Sequence, residues 1–283
     1  MRFLVLDAYA REGREALREA GGTPAGELYA RLLTAQQGDA SVDVAHPADS
    51  QPLFAGGSKL ADYAGVIWTG SNLTIHRTED PRVRRQIELA RTIFRIGVPS
   101  FGSCWAAQIA VVAAGGKCAA SPKGREFGIS RRIRLAAEGL DHPLYHGKPP
   151  LFDAFTSHAD EVVRLPRDAT LLASNDFSRV QAVAVAHERG HFWAVQYHPE
   201  YDLAELAALC RLRREELVDQ GTFESAAAAD ATIEQLETLH RDPTRQDLID
   251  ALGLEEALLQ PAQRALELRN WIEHQVRSEV AAI

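Results

Sequence analysis

Apolar residues fall in two rhythms along this chain. Up to about residue 202, short β-rich runs alternate with longer stretches of helical periodicity, the pattern of strands joined by crossover helices in a largely parallel sheet, so the class is α/β. "RFLVLD" (Arg2 to Asp7) reads as a buried first strand, "YAGVIWTG" (Tyr63 to Gly70) as a second ending at glycine, and "IGVPSFG" (Ile96 to Gly102) as a third. Between the last two, "DPRVRRQIELARTIFR" offers Asp80 as N-cap and Pro81 at the first helical position. "GISRRIRL" sets Ile129, Ile133 and Leu135 among arginines, and "VQAVAVAHERGHFWAVQYHPE" holds two β-rich runs around a His-Glu-Arg-Gly turn, a hairpin. No internal repeat is visible.

From about Leu203 onward the β-branched runs vanish, and Ala, Leu, Glu, Arg and Gln dominate, which is helical composition. "DPTRQDLIDALG" has Asp242 and Pro243 at its start, a stripe of Leu248, Ile249 and Leu252, and Gly253 at the C-cap. "LELRNWIEHQV" stacks Leu268, Trp271, Ile272 and Val276 on one face. The expected organisation is an α/β domain over residues 1–202 and a helical C-terminal extension over 203–283.

Composition narrows the functions. The chain has 283 residues, 46% hydrophobic and 25% charged, with net charge −8. It carries no Lys/Arg block, so nucleic acid is not an expected partner. No apolar run suits a signal peptide or a membrane span, and a cytoplasmic location is expected. Three cysteines, Cys104, Cys118 and Cys210, without a Cys-x-x-Cys pair argue against a disulfide framework and a cysteine zinc site. Any cysteine that matters acts alone.

Cys104 has the right setting. A strand, then Gly102-Ser103-Cys104-Trp105-Ala106, then a helix running to Gly115-Gly116 is a strand-turn-helix elbow with cysteine in the serine position of Gly-x-Ser-x-Gly. Such a turn lifts the side chain above the carboxyl ends of the strands, where an open α/β sheet has its crevice. The helix that follows points its free amides and positive dipole end at the sulfur, favouring thiolate, and the Trp105 N–H at the oxygen of an attacked carbonyl. A base stands at "AVQYHPE", where His198, held extended before Pro199, shares its side with Glu200 two residues on. The carboxylate would fix the tautomer of His198 and stabilise the imidazolium formed when it takes the thiol proton.

"PSFGSCWAAQ" with "GGK", then "GREFG", "TSHADEVVRLP" with "LLASN", and "VQYHPE", in this order, resemble the class I glutamine amidotransferases, specifically their free-standing, GMP-synthase-like members. The resemblance spans about Arg2 to Tyr201. It implies a flavodoxin-like open sheet with helices on both faces, and a Cys104-His198-Glu200 triad that cleaves a γ-glutamyl amide through a thioester. It also implies an oxyanion hole of backbone amides, from Trp105 and from Gly70-Ser71 after the second strand. Two departures stand out. Ala106 replaces the second elbow glycine, so that Trp105, Ala106 and Ala107 are expected to reshape the pocket wall, and "WTGSNLTIH" lacks the usual Gly-Gly-Pro.

Gln108, one helical turn after Cys104, is read as a contact to the glutamyl group or as a solvent-facing helix residue. His158 is read as lining the crevice or as a structural hydrogen-bonding residue. "GREFG" reads equally as a segment that the resemblance carries and as charges that simply form a solvated face or a salt bridge. His142 and His146 are spaced i, i+4, but Pro143 and Gly147 argue against a helix there, and no metal and no cofactor is assigned. Three functions follow: a self-contained hydrolase of glutamine or another γ-glutamyl amide, an ammonia-supplying subunit acting with a separate synthetase, and a non-catalytic binding protein. The first is favoured. The apolar stripes of the extension must be covered, either by the core and each other, or by a homodimer contact or a position walling the crevice above Cys104.

Overall fold

The computed structural model describes residues 1–49 and 59–278. Strands β1 (Arg2–Leu6), β2 (Ser41–Ala45), β3 (Gly65–Trp68), β4 (Ser100–Ser103), β6 (Glu126–Leu135), β7 (Leu151–His158), β9 (Ala169–Ser174), β10 (Ala182–His187) and β11 (Gly190–Val195) form one sheet in the order β2-β1-β3-β4-β11-β10-β9-β6-β7. β5 (Lys117–Ala120) and β8 (Asp160–Arg164) pair separately. β2, β1, β3, β4 and β11 run parallel, and only β10 and β6 oppose the common direction. The flavodoxin-like, mostly parallel α/β sheet is therefore present, widened by antiparallel strands at one end.

Helices α1 (Arg11–Glu19), α2 (Ala25–Gln36), α3 (Pro81–Ile96), α4 (Trp105–Ala113) and the short α5 (Ala137–Leu140) belong to the first part of the chain. After it come α6 (Leu203–Leu212), α7 (Arg214–Asp219), α8 (Ala226–Arg241), α9 (Gln246–Leu252), α10 (Glu256–Leu259), α11 (Pro261–Arg264) and α12 (Leu266–Trp271), the last running into a π-helical turn over Ile272–Val276. Strand alternation sends Leu4, Leu6, Val66 and Trp68 to one face, under Ile87, Ile93 and Phe94 of α3 and Ile109 of α4. Phe3, Val5, Ile67 and Phe101 go to the other, under Tyr29 and Leu33 of α2 and Leu268, Trp271, Ile272 and Val276. Trp271 lies so close to β3 that a Cβ on Gly65 would stand 2.6 Å from its ring. The last apolar stripe is thus spent on the sheet, in the place a crossover helix normally fills.

Several boundaries differ from expectation. Asp80 caps α3 as anticipated, its Oδ1 accepting from the Arg82 amide at 2.8 Å. α3 continues through Ile96, however, and Gly97 at φ 89° ends it, so β4 starts only at Ser100. Asp242 does not open a helix: it caps the end of α8 and accepts from the amide and hydroxyl of Thr244 in a turn, and α9 begins at Gln246. Leu248, Ile249 and Leu252 are only half-buried, packed at the edge of a third cluster around Leu206, Leu209, Leu236 and Leu239. No helix of the described residues is long and apolar enough to cross a membrane.

Candidate active site

Adjacent parallel strands deliver the candidate residues. β4 and β11 pair Ser103 with Val195, and the Cys104 amide donates to the Val195 carbonyl at 2.8 Å, so the elbow is fastened to the strand that leads to His198. Cys104 sits at φ 54°, a conformation that costs a non-glycine residue about 1–3 kcal/mol and is held by the surrounding structure. The elbow is tight: a Cβ on Gly102 would lie 2.0 Å from the Trp68 carbonyl oxygen and 2.6 Å from Cβ of Ala106. Ala106 is accommodated because Gly102 opposite has no side chain. Ala106 and Ala107 are fully buried and do not line the cavity, and Trp105 turns its indole into the core, donating Nε1–H to Gln86 Oε1 at 3.1 Å. Of the three only Trp105 therefore borders the cavity, and Ala106 and Ala107 do not reshape its wall, because the start of α4 faces inward.

The strand stops at Val195, and His198 does not stand in an extended run with Glu200. A turn closed by the Tyr201 amide on the His198 carbonyl (3.4 Å) folds Glu200 back, and the pair is made within that turn: His198 Nδ1 lies 2.7 Å from Glu200 Oε1. Both side chains are fully buried. Ser103 Oγ donates to the same carboxylate oxygen at 2.8 Å, and the Tyr201 ring stacks on the imidazole at 3.8 Å between centroids. Sequence reading missed both; Ser103 carried a signal, since the residue before an elbow nucleophile points back toward the next strand.

His198 Nε2 and Cys104 meet at Gly70: a Cβ there would be 3.0 Å from His198 Cε1, 3.8 Å from Nε2 and 3.9 Å from Cβ of Cys104. Burial disfavours charge on the imidazole, yet the Glu200 carboxylate and the Cys104 side chain outweigh it and push the His198 pKa up to about 10. Burial pushes the thiol of Cys118 up to about 12 and that of Cys210 to about 11, so neither is a nucleophile near neutral pH.

A cavity of about 110 Å³ opens on these residues. Cys104, Trp105, Gln108, His158, His198 and Ser71 all line it; Gly70 lies behind, its carbonyl taken by the Thr69 hydroxyl at 2.7 Å. Trp105 is the first residue of α4, where amides lack intrahelical partners. Gln108 is buried, not solvent-facing, and donates to the Asp160 carbonyl at 3.3 Å. His158 uses both ring nitrogens, Nε2 with Glu126 Oε2 at 2.8 Å and Nδ1 with the Asp160 carbonyl at 3.0 Å, and holds the β7–β8 corner that carries Ser157 and Asp160 to the cavity. Glu126 of "GREFG" is no surface charge: it is a buried hub that also accepts from Ser130, Asn175 and Gln181. His142 and His146 face different partners, Trp193 and His274. Arg213, between α6 and α7, also lines the cavity, and nothing in its local sequence announced it.

An open α/β sheet with an elbow cysteine beside a buried histidine-carboxylate pair is an arrangement suited to thiol-dependent hydrolysis. The class I glutamine amidotransferase family matches residues 62–209. A γ-glutamyl-L-1-hydroxyisopropylamide hydrolase from a Pseudomonas species is 32% identical over 281 residues, 98% of this chain and 93% of that protein. A GMP synthase of Nitrosomonas eutropha is 32% identical over 180 residues, but this chain covers only 32% of its length. Two solved glutamine amidotransferases share the fold: that of Thermotoga maritima (TM-score 0.63, 16% identity, 95% of this chain and 98% of that one) and that of Methylobacillus flagellatus (TM-score 0.62, 18% identity, 100% and 94%). The chain belongs to the class I glutamine amidotransferases and is a hydrolytic enzyme of the γ-glutamyl amide type.

Proposed function

We propose that this protein is a self-contained γ-glutamyl amide hydrolase that releases glutamate and a free amine. The observation that carries the reading is the convergence of Cys104 and His198 on one cavity, with Glu200 held behind His198 Nδ1, in a chain whose likeness to a γ-glutamyl amide hydrolase runs through the C-terminal helices. Cys104 thiolate attacks the γ-carbonyl, and its carbon–sulfur bond forms as the carbonyl π electrons move to oxygen. The Trp105 amide, with an amide from Gly70-Ser71, supplies the hydrogen bonds that stabilise that oxyanion. The carbon–nitrogen bond then breaks, and His198 Nε2 gives its proton to the departing amine, leaving a glutamyl thioester. Water attacks the thioester, gives a proton to His198 and expels the thiolate. Glu200 keeps Nδ1–H in place throughout and balances the imidazolium. Asp160, the Ser157 carbonyl and Gln108 suit the glutamyl end, since a carboxylate and a carbonyl accept from an α-ammonium.

An ammonia-supplying subunit would work with a synthetase, and GMP synthase contains such an arrangement; here that likeness stops at about a third of the synthase. The experiment is turnover of glutamine and of a panel of γ-glutamyl amides by the protein alone, wild type against Cys104→Ala, with mass spectrometry of the trapped glutamyl adduct. Turnover that needs no partner and is lost with Cys104 supports the hydrolase; activity that appears only with an added synthetase refutes it.

A further inference from the structure

The cavity at Cys104 has a second, larger neighbour. Tyr9, Asn72 and Arg213 line both the inner cavity and an open chamber of about 670 Å³ between α1 and the α6–α7 corner. That volume lies within the range of about 300–1,000 Å³ usual for small-molecule sites. We infer that this chamber receives the amine portion of the substrate, so that the enzyme prefers γ-glutamyl amides of hydrogen-bonding amines without an acidic group to glutamine itself. The inference rests on the reading of the site as a γ-glutamyl amide hydrolase.

Orientation follows from the two ends of the inner cavity. Ser157, whose carbonyl faces Cys104 Sγ at 3.8 Å, and Asp160 offer acceptors for the α-ammonium of a glutamyl group. Tyr9, Asn72 and Arg213 border both the inner cavity and the outer chamber, which makes the chamber the neighbouring space for a substituent on the leaving nitrogen. Ammonia would leave the chamber empty.

Charge selects among amines. The three arginines of the chamber are already engaged: Arg211 with Glu237 at 2.5 Å, Arg213 with Glu216 at 3.0 Å, and Arg214 with Asp230 at 2.6 Å. An acidic amine portion would meet no free cation and would have to displace a carboxylate, whereas a neutral group with a hydroxyl can bond to polar side chains such as Asn72 without disturbing a pair.

The test compares kcat/KM for glutamine, γ-glutamylethanolamide, γ-glutamylpropylamide and γ-glutamylglycine in the wild type and in Ala16→Phe, which grows a ring into the chamber from the face of α1. The wild type should favour the ethanolamide over glutamine and over γ-glutamylglycine, each by about tenfold or more, with the propylamide between. Ala16→Phe should lower the ethanolamide-to-glutamine ratio by about tenfold. If Ala16→Phe does not fold by circular dichroism, Ala16→Leu provides the same ratio at a smaller step. A wild type that takes glutamine as well as any substituted amide, or a ratio unmoved by a folded Ala16 variant, overturns the inference while leaving Cys104-dependent hydrolysis standing. Absence of Cys104-dependent turnover of every compound overturns the underlying hydrolase reading, and the chamber's role with it.

Discussion

Replacing Glu200 by Gln keeps the shape of the candidate triad and removes one charge. In the wild type Oε1 accepts from His198 Nδ1 at 2.7 Å and from Ser103 Oγ at 2.8 Å, with His198 and Glu200 sealed from solvent. A glutamine amide can offer its oxygen to only one orientation of this pair. If its NH₂ faces Nδ1 instead, the imidazole must carry its proton on Nε2, where it cannot accept the proton of Cys104. The histidine also loses the carboxylate that overcomes its burial, so its pKa falls from about 10. In comparable triads an isosteric loss of the carboxylate lowers turnover by about 10⁴, and we expect about 10³–10⁴ here, or about 4–5 kcal/mol of activation free energy. The pH profile is the sharper readout. A base whose folded pKa is raised contributes stability that is complete below its ordinary value of 6.5 and is lost as pH rises through about 10. Wild-type kcat/KM should therefore hold through neutral pH and fall on an alkaline limb near 10, whereas Glu200→Gln should bring that limb down toward neutrality and lower thermal stability at pH 7 more than at pH 10. A limb that stays in place, or a rate within about threefold of wild type, would falsify the assignment of Glu200 as the partner of His198.

Three further outcomes are expected. Cys104→Ala and Cys104→Gly should both lose turnover, but Gly should melt higher than Ala by about 1 kcal/mol of stability, because residue 104 sits at φ 54°; equal melting by calorimetry would show that the elbow stores no strain. Trp271→Ala should cost about 3–5 kcal/mol and lower Tm on the order of 10 °C, since the ring fills the space over Gly65, Phe3 and Phe101; a shift under about 2 °C would mean the sheet face does not depend on it. Glu126 is held below its usual carboxylate range because, against burial, His158, Asn175 and Gln181 outweigh that penalty. Its contribution is therefore present above pH 4.5 and lost as pH falls through its lowered value, and Glu126→Ala should flatten the acid limb of a urea-denaturation series as well as loosen the His158 corner.

The sequence by itself determined the parts whose chemistry is local. Gly102 through Ala106 specify an elbow because only a residue without a side chain fits under the Trp68 carbonyl, and Cys104 follows at fixed register. His198 and Glu200 lie two residues apart, so any tight conformation brings them together; the extended geometry expected for them was wrong, yet the pair formed in a turn all the same. Asp80-Pro81 likewise set a helix start from three residues. What depends on distant segments was not legible. β2, β5 and β8 are short and carry no periodic signature of their own, so their places in the sheets come from partners far along the chain. Asp242-Pro243 had the letters of a helix start, but α8 reached it first and used Asp242 as its end. The tertiary structure alone decided that Trp271 would cover the first strands, and that Arg213, 109 positions from Cys104, would stand at the cavity mouth, because burial of apolar area fixes which surfaces meet without leaving a mark in the spacing of the residues that meet.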